Sequence, residues 1–161
     1  MIARTEFGIE RASCSCRECR RNCIYIPGFL IPADLGRMIP EQVDPLVWAE
    51  TNLLASPGAM VMKDFEVFRV PTLVPAIKPN GGCIHYVNRK CDIWEVSPFG
   101  CAFFGCGAQY EQAMSNVGLK KVWEAHKDHH SLYSRIWGHL WSIGKQQEPP
   151  EVLRARMTQG G

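Results

Sequence analysis

The chain has 161 residues, 46% of them hydrophobic, 21% charged and 10% aromatic. That is the length and balance of one globular domain, far from the intrinsically disordered and membrane classes. A formal net charge of +2 is too small to mark a nucleic-acid or anionic-membrane partner. No stretch reaches the ~18 uninterrupted apolar residues of a membrane span, and Met1 to Glu10 lacks the apolar core of a secretory signal, so a soluble, cytoplasmic protein is expected.

In chain order, the first feature is a block of four cysteines, Cys14, Cys16, Cys19 and Cys23. Residues 24–82 contain none. Within that gap, Pro32 to Met38 predicts a short helix, with its proline at the start and apolar residues three apart. Asp44 is placed to cap a second helix. Its stripe of Leu46, Val47, Trp48, Leu53 and Leu54 should run to the breaker Ser56-Pro57-Gly58. Phe65 to Val70 alternates as a strand does. Leu73 to Ile77, the turn Pro79-Asn80-Gly81-Gly82 and Cys83 to Val87 predict a hairpin, which Pro71 and Pro75 confine to a sheet edge. The second cysteine block, Cys83, Cys91, Cys101 and Cys106, follows. Beyond it the pattern predicts helices over about 108–130 and 131–143, the latter with Leu132, Ile136, Leu140 and Ile143 on one face, widened by Trp137 and Trp141. The tail after Gln146 is expected to fray at its end.

Eight cysteines without an export signal point to metal binding or redox chemistry, because thiols stay reduced in the cytosol; a disulfide framework is the opposing explanation. Cys16, Cys19 and Cys23 form a C-x2-C-x3-C run. Two intervening residues let both sulfurs turn toward one point while the local amides face them, a chelate that suits zinc and iron-sulfur centres alike. Cys14 and Cys16, one residue apart, would point oppositely in an extended chain, which ranks Cys14 lowest of its block. If both blocks serve one centre they close a long loop, whose entropy cost grows by only ~0.6 kcal/mol per doubling of length. Arg17, Arg20, Arg21, Arg89 and Lys90 flank the candidate ligands and would favour thiolate; a solvated basic face explains them equally well.

These motifs resemble those of the YkgJ-type cysteine-cluster family, whose domain is described as zinc- or iron-chelating. Cys16, Cys19 and Cys23 match its first pattern, C-x2-C-x2-C-C, although Asn22 stands where the first of the paired cysteines belongs. Cys83, and then Cys91-Asp92-Ile93-Trp94 through Pro98 to Cys101, match its second. Leu35-Gly36-Arg37, after Asp34, is similar to its acidic-Leu-x-Arg helix. The resemblance covers about residues 14–106 and implies a zinc or iron-sulfur centre without fixing a reaction.

The thiols outnumber the four that one zinc needs and come from distant segments, which favours an iron-sulfur cluster, [4Fe-4S] in type, over zinc. Tyr25, Trp94, Phe99, Phe103 and Phe104 could shield a cluster or simply pack. His126, His129 and His130 share a helical face, where a solvated helix end is the plainer explanation, and His85 reads as structural.

The expected protein is therefore one α+β domain over 1–161, with a loop-rich metal lobe within 14–106, a short hairpin and a helical region over 108–145. All eight cysteines, Cys14, Cys16, Cys19, Cys23, Cys83, Cys91, Cys101 and Cys106, are candidate ligands. The expected roles are electron transfer or a metal-stabilised subunit of a larger complex, a zinc interaction module presenting Trp137 and Trp141 to a partner, or a cluster-dependent oxidoreductase or transferase.

Overall fold

A computed structural model of the chain describes residues 20–21, 24–58, 60–102 and 108–159. Pro32 opens helix α1, Pro32–Met38, because its fixed φ and missing N–H cost nothing at a first helical position. Asp44 caps α2, Pro45–Asn52, its side chain accepting the N–H groups of Leu46 and Val47 at 2.9 and 3.1 Å. This helix is shorter than its apolar stripe predicts. Leu53–Ser56 is instead strand β1, with Leu53, Ala55 and Ser56 fully buried. A short apolar run reads equally as helix or strand, and long-range pairing decides it.

Strand β2 is Met60–Lys63 and β3 is Glu66–Arg69, paired antiparallel through a turn at Asp64 and Phe65 whose φ values are 52° and 66°. Strand β4, Thr72–Pro75, pairs antiparallel with β1 from Leu53↔Pro75 to Ser56↔Thr72. The hairpin expected between Leu73–Ile77 and Cys83–Val87 is reduced to one bridge, Ile77↔Cys83, because β4 gives its ladder to β1. The true hairpin lies just beyond: β5, Tyr86–Val87, pairs with β6, Lys90–Cys91, around Asn88 and Arg89, both in the left-handed region.

A 3-10 turn at Trp94–Val96 leads into the short helix α3, Phe99–Ala102. Helix α4 is Ala108–His126. Helix α5 is Leu132–Ser142, with Ser131 accepting the Ser134 N–H at its start. The end of the tail, expected to fray, lies outside the described residues, but most of the tail is ordered. Lys145 and Gln147 exchange backbone hydrogen bonds with Ala55, and Pro150–Gln159 forms α6, which an ion pair between Glu151 and Arg69 and a bond from Arg21 Nη2 to Met157 O (3.1 Å) hold in place. The whole is an α+β fold. Among the described residues no helix is long and apolar enough to cross a membrane.

The core gathers Leu30, Ile31, Leu35, Leu53, Leu73, Phe99, Val122, Tyr133, Ile136 and Leu140. Tyr133 is its polar fastener. The hydroxyl donates to Leu30 O at 2.7 Å and accepts from Leu73 N at 2.8 Å, while Leu30 N donates to Leu73 O at 2.8 Å. Burial raises the phenol far above its ordinary range, so it stays protonated and able to donate. Trp137 also turns inward, its indole N–H donating to Ser56 O at 2.9 Å, and it stacks on Trp141, which keeps an exposed edge. Tyr133→Phe should cost about 3 kcal/mol, because it strands one buried carbonyl and one buried N–H. Urea denaturation monitored by circular dichroism measures this; an unchanged midpoint would show that Leu30 and Leu73 do not depend on the hydroxyl.

Candidate metal centre

Two main chains cross in contact beside the second cysteine block. A Cβ on Gly28 would lie 2.1 Å from the carbonyl carbon of Gly100, and one on Gly100 would lie 2.4 Å from Phe29 N. Only glycine permits that approach at both positions. Across the crossing, Gly100 N donates to Phe29 O at 2.8 Å and Gly28 N donates to Cys101 Sγ at 3.1 Å. A backbone amide aimed at sulfur stabilises negative charge there, the form in which cysteine binds metal.

Cys101 lies in α3, and a buried carboxylate holds the start of that helix. Asp34, 0% exposed, accepts Ile31 N and Phe99 N at 2.9 Å each through Oδ2, and its Oδ1 lies 3.5 Å from Arg37 Nη1. One carboxylate thus fastens the beginning of α1 to the beginning of α3. The acidic-Leu-x-Arg stretch of the sequence is therefore the bracket for the cysteine-bearing helix.

Cys83 is fixed from two sides. Its N–H donates to Ile24 O at 2.7 Å, and it bridges Ile77. Ile24 directly follows Cys23 in the sequence. The β5–β6 hairpin then carries the chain out and back, so that Cys91 stands opposite Tyr86. Lys78 Nζ donates to Tyr86 O at 2.6 Å and steadies its base.

The outcome is a small, open-mouthed recess lined by Pro27, Pro75, Cys83, His85, Tyr86, Cys91, Ile93, Pro98 and Cys101. Three of its walls are prolines, stiff in φ and without an N–H. Cys83, Cys91 and Cys101 are not cross-linked to one another. Among the described residues, no group of three or more His, Cys, Asp or Glu side chains is gathered closely enough to hold one metal ion. The thiols border a space; they do not surround a point.

Neither a family model, a curated protein nor a solved structure matches this chain.

Of the eight cysteines singled out in the sequence, three meet at this pocket. Cys14, Cys16, Cys19, Cys23 and Cys106 lie outside the described residues, as do Arg17, Phe103 and Phe104. Phe99 is buried in the core and packs against Phe29 with ring centroids 5.8 Å apart, whereas Trp94 and Tyr25 are about half exposed. His126 is engaged elsewhere, with Nε2 on Pro71 O at 2.9 Å and Nδ1 on Ser134 Oγ at 3.3 Å, while His129 and His130 are exposed at the helix end.

His85, read as structural from the sequence, also borders this pocket. Its side chain is only 13% exposed, and Nδ1 lies 3.3 Å from Asp92 Oδ1. Burial holds its pKa below the ordinary range, with Asp92 opposing, so the ring is neutral near pH 7. A carboxylate only accepts, so Nδ1 carries the proton and Nε2 presents a lone pair. Nε2 is buried and has no hydrogen-bond partner among the described residues. The available sequence signal was the C-x-H spacing of Cys83 and His85.

The recess thus brings together the thiols of Cys83, Cys91 and Cys101, the last with the Gly28 amide on its sulfur, among three prolines and His85. Asp34→Ala should loosen α3, because two backbone N–H groups lose their acceptor and Arg37 its counter-charge; a loss of about 3 kcal/mol is expected. Alkylation with peptide mapping should then find Cys101 modified faster than in the parent chain. An unchanged Cys101 rate would detach Asp34 from the pocket.

Proposed function

We propose that the chain is a cysteine-ligated metal-centre protein, with an iron-sulfur cluster of [4Fe-4S] type favoured, working in a reducing compartment such as the cytoplasm. Its role would be electron transfer or metal-dependent stabilisation of a subunit in a larger assembly. The observation that carries this reading is the meeting of Cys83, Cys91 and Cys101 at one pocket, with the Gly28 N–H on the sulfur of Cys101. The resemblance of residues 14–106 to the YkgJ-type cysteine-cluster family supports the same chemistry.

The number of thiols favours a cluster over a single ion, since eight cysteines exceed the four that one zinc needs. Thiolates around one zinc stand about 3.8 Å apart, as Zn–S bonds of about 2.3 Å in a tetrahedron require. A polynuclear cluster holds its cysteines farther apart than that. Ile24, clipped to Cys83 and next in sequence to Cys23, supports a contribution from the first block. A zinc-stabilised interaction module is the second reading, and the neutral His85 in the same pocket is what favours it, since zinc accepts mixed sulfur and nitrogen sets.

Within such a centre, each segment of this chain has a separate task. Cys83, Cys91 and Cys101 would supply thiolates, and Gly28 would donate to a ligand sulfur, which tunes the potential of a bound cluster. Asp34 would hold α3 in place.

Anaerobic purification of the full chain should give a brown protein, absorbing near ~400 nm and bleached by dithionite, with iron and acid-labile sulfide in stoichiometric amount. Cys91→Ser or Cys101→Ser should lose the metal and most of the soluble yield together, because ligation contributes folding free energy. A colourless protein containing one zinc per chain would select the second reading. A metal-free protein of undiminished stability would refute both.

A further inference from the structure

We propose that the β2–β3 hairpin is a self-association surface, on which the outward face of one copy of this chain packs against the same face of a second copy about a two-fold axis. The inference is independent of the metal-centre reading and uses none of the residues that line the recess.

The hairpin has two unlike faces. In its register Val61 stands opposite Phe68, and this pair faces the protein, because the Phe68 ring packs on Trp123 of α4 with centroids 5.9 Å apart. Successive side chains of a strand alternate between faces, so Met60, Met62 and Val67 point the other way, with Met62 directly opposite Val67. All three are more than half exposed. Arg69, opposite Met60, lies on the same outward face.

The tip adds a fourth apolar residue in an unusual place. Phe65 is fully exposed, and it holds a φ of 66° directly after Asp64 at 52°. Two left-handed positions in a row favour glycine and asparagine, and a bulky residue there is an outlier. Asn-Gly would build this turn with less strain and without an aromatic ring in water. The folding of a single chain therefore gives no reason for phenylalanine at this position, whereas contact with another surface does.

Area and charge together select a second copy as the occupant. Met60, Met62, Phe65 and Val67 leave a patch of roughly 500 Å² in water. Packed on its own copy it would bury about 1,000 Å² in total, the lower bound of a specific interface and the size of a reversible dimer. The tip, with Lys63, Asp64 and Glu66, is net negative. At the base, Arg69 and then Arg154 hold the Glu151 carboxyl below its ordinary pKa, so two cations flank one carboxylate and that end is net positive. A two-fold axis lying in the interface and crossing the strands sets each tip over the other copy's base, and both complementary pairings form at once. A partner of one sign would match only one end.

Sedimentation equilibrium of the full chain, kept anaerobic with a thiol reductant so that no S–S cross-link contributes, tests this. Between about 1 μM and 1 mM the wild type should pass from monomer to dimer and stop there, as a closed two-fold contact of this size requires. Phe65→Gly should weaken the dimer about 10-fold or more. The same substitution should raise the thermal midpoint of the dilute monomer by about 2–4 °C, because glycine relieves the positive φ. Asp64→Arg should weaken association, and adding Arg154→Asp to it should restore the dimer. A chain that stays monomeric over the whole range overturns the proposal, and so does a dimer whose dissociation constant neither Phe65→Gly nor Met62→Ser changes. A monomer that instead sediments with phosphatidylcholine–phosphatidylserine vesicles, and loses them on Phe65→Gly, would give the patch to a lipid surface and also overturn the second copy. The colour and metal content of the protein decide the metal-centre reading separately.

Discussion

The pocket depends on the place where the main chain at Gly28 touches the main chain at Gly100. Two backbones can approach so closely only if neither carries a side chain, and the absent Cβ atoms at both positions make room for each other's peptide groups. The crossing sets the Gly28 amide on the sulfur of Cys101 and the Gly100 amide on Phe29 O. It also fixes how the segment after the first cysteine block meets the second. Ile24, four residues before Gly28, then reaches Cys83 with its carbonyl. A side chain at either glycine would part the two strands of the crossing and move one wall of the recess away from the others.

That crossing is held on the side remote from the pocket by two buried polar groups of unlike kind. Asp34 gathers the N–H groups that open α1 and α3, and the Tyr133 hydroxyl closes the bridge between Leu30 and Leu73. Leu30 follows Phe29 directly, so the helical core reaches the crossing through one short piece of chain. Tyr133 stands on α5, the most regular part of the molecule. Rigidity therefore passes from a helix packed on β1 and β4, through Leu30, to Gly28 and the sulfur of Cys101. A ligand site gains from such backing, because donors held in place before binding lose less entropy when they bind.

How far the sequence disclosed this arrangement depends on the range of the interaction concerned. Asp44 before Pro45 and Ser131 before Leu132 announced helix starts, because a cap bonds to amides two or three residues away and is a local matter. Leu53–Ser56 was misread as helix, since its pairing with β4 is settled by residues far along the chain. The hairpin was sought one step too early for the same reason: β4 is claimed by β1, and Asn88-Arg89, with neither residue a glycine, is a weak turn signal even though both adopt positive φ. Cys83, Cys91 and Cys101 were legible as a set because thiols are scarce and their uses few. That His85 borders the same pocket is a three-dimensional fact, since the fold of the β5–β6 hairpin brings it there.

The form of the lobe has a physical consequence for metal binding. Its sheet is two residues per strand, Tyr86–Val87 on Lys90–Cys91, and an isolated two-stranded hairpin is at best marginally stable in water. The apolar residues that could support it are committed elsewhere: Phe99, Leu30 and Leu73 belong to the helical core. Cys91 therefore sits at the end of an element that the described contacts secure through Lys78 on Tyr86 O and Asp92 on His85. On the metal-centre reading, ligation at Cys91 would anchor this hairpin from within β6. Under the proposed metal-centre function, the second block of cysteines would serve to hold this short hairpin.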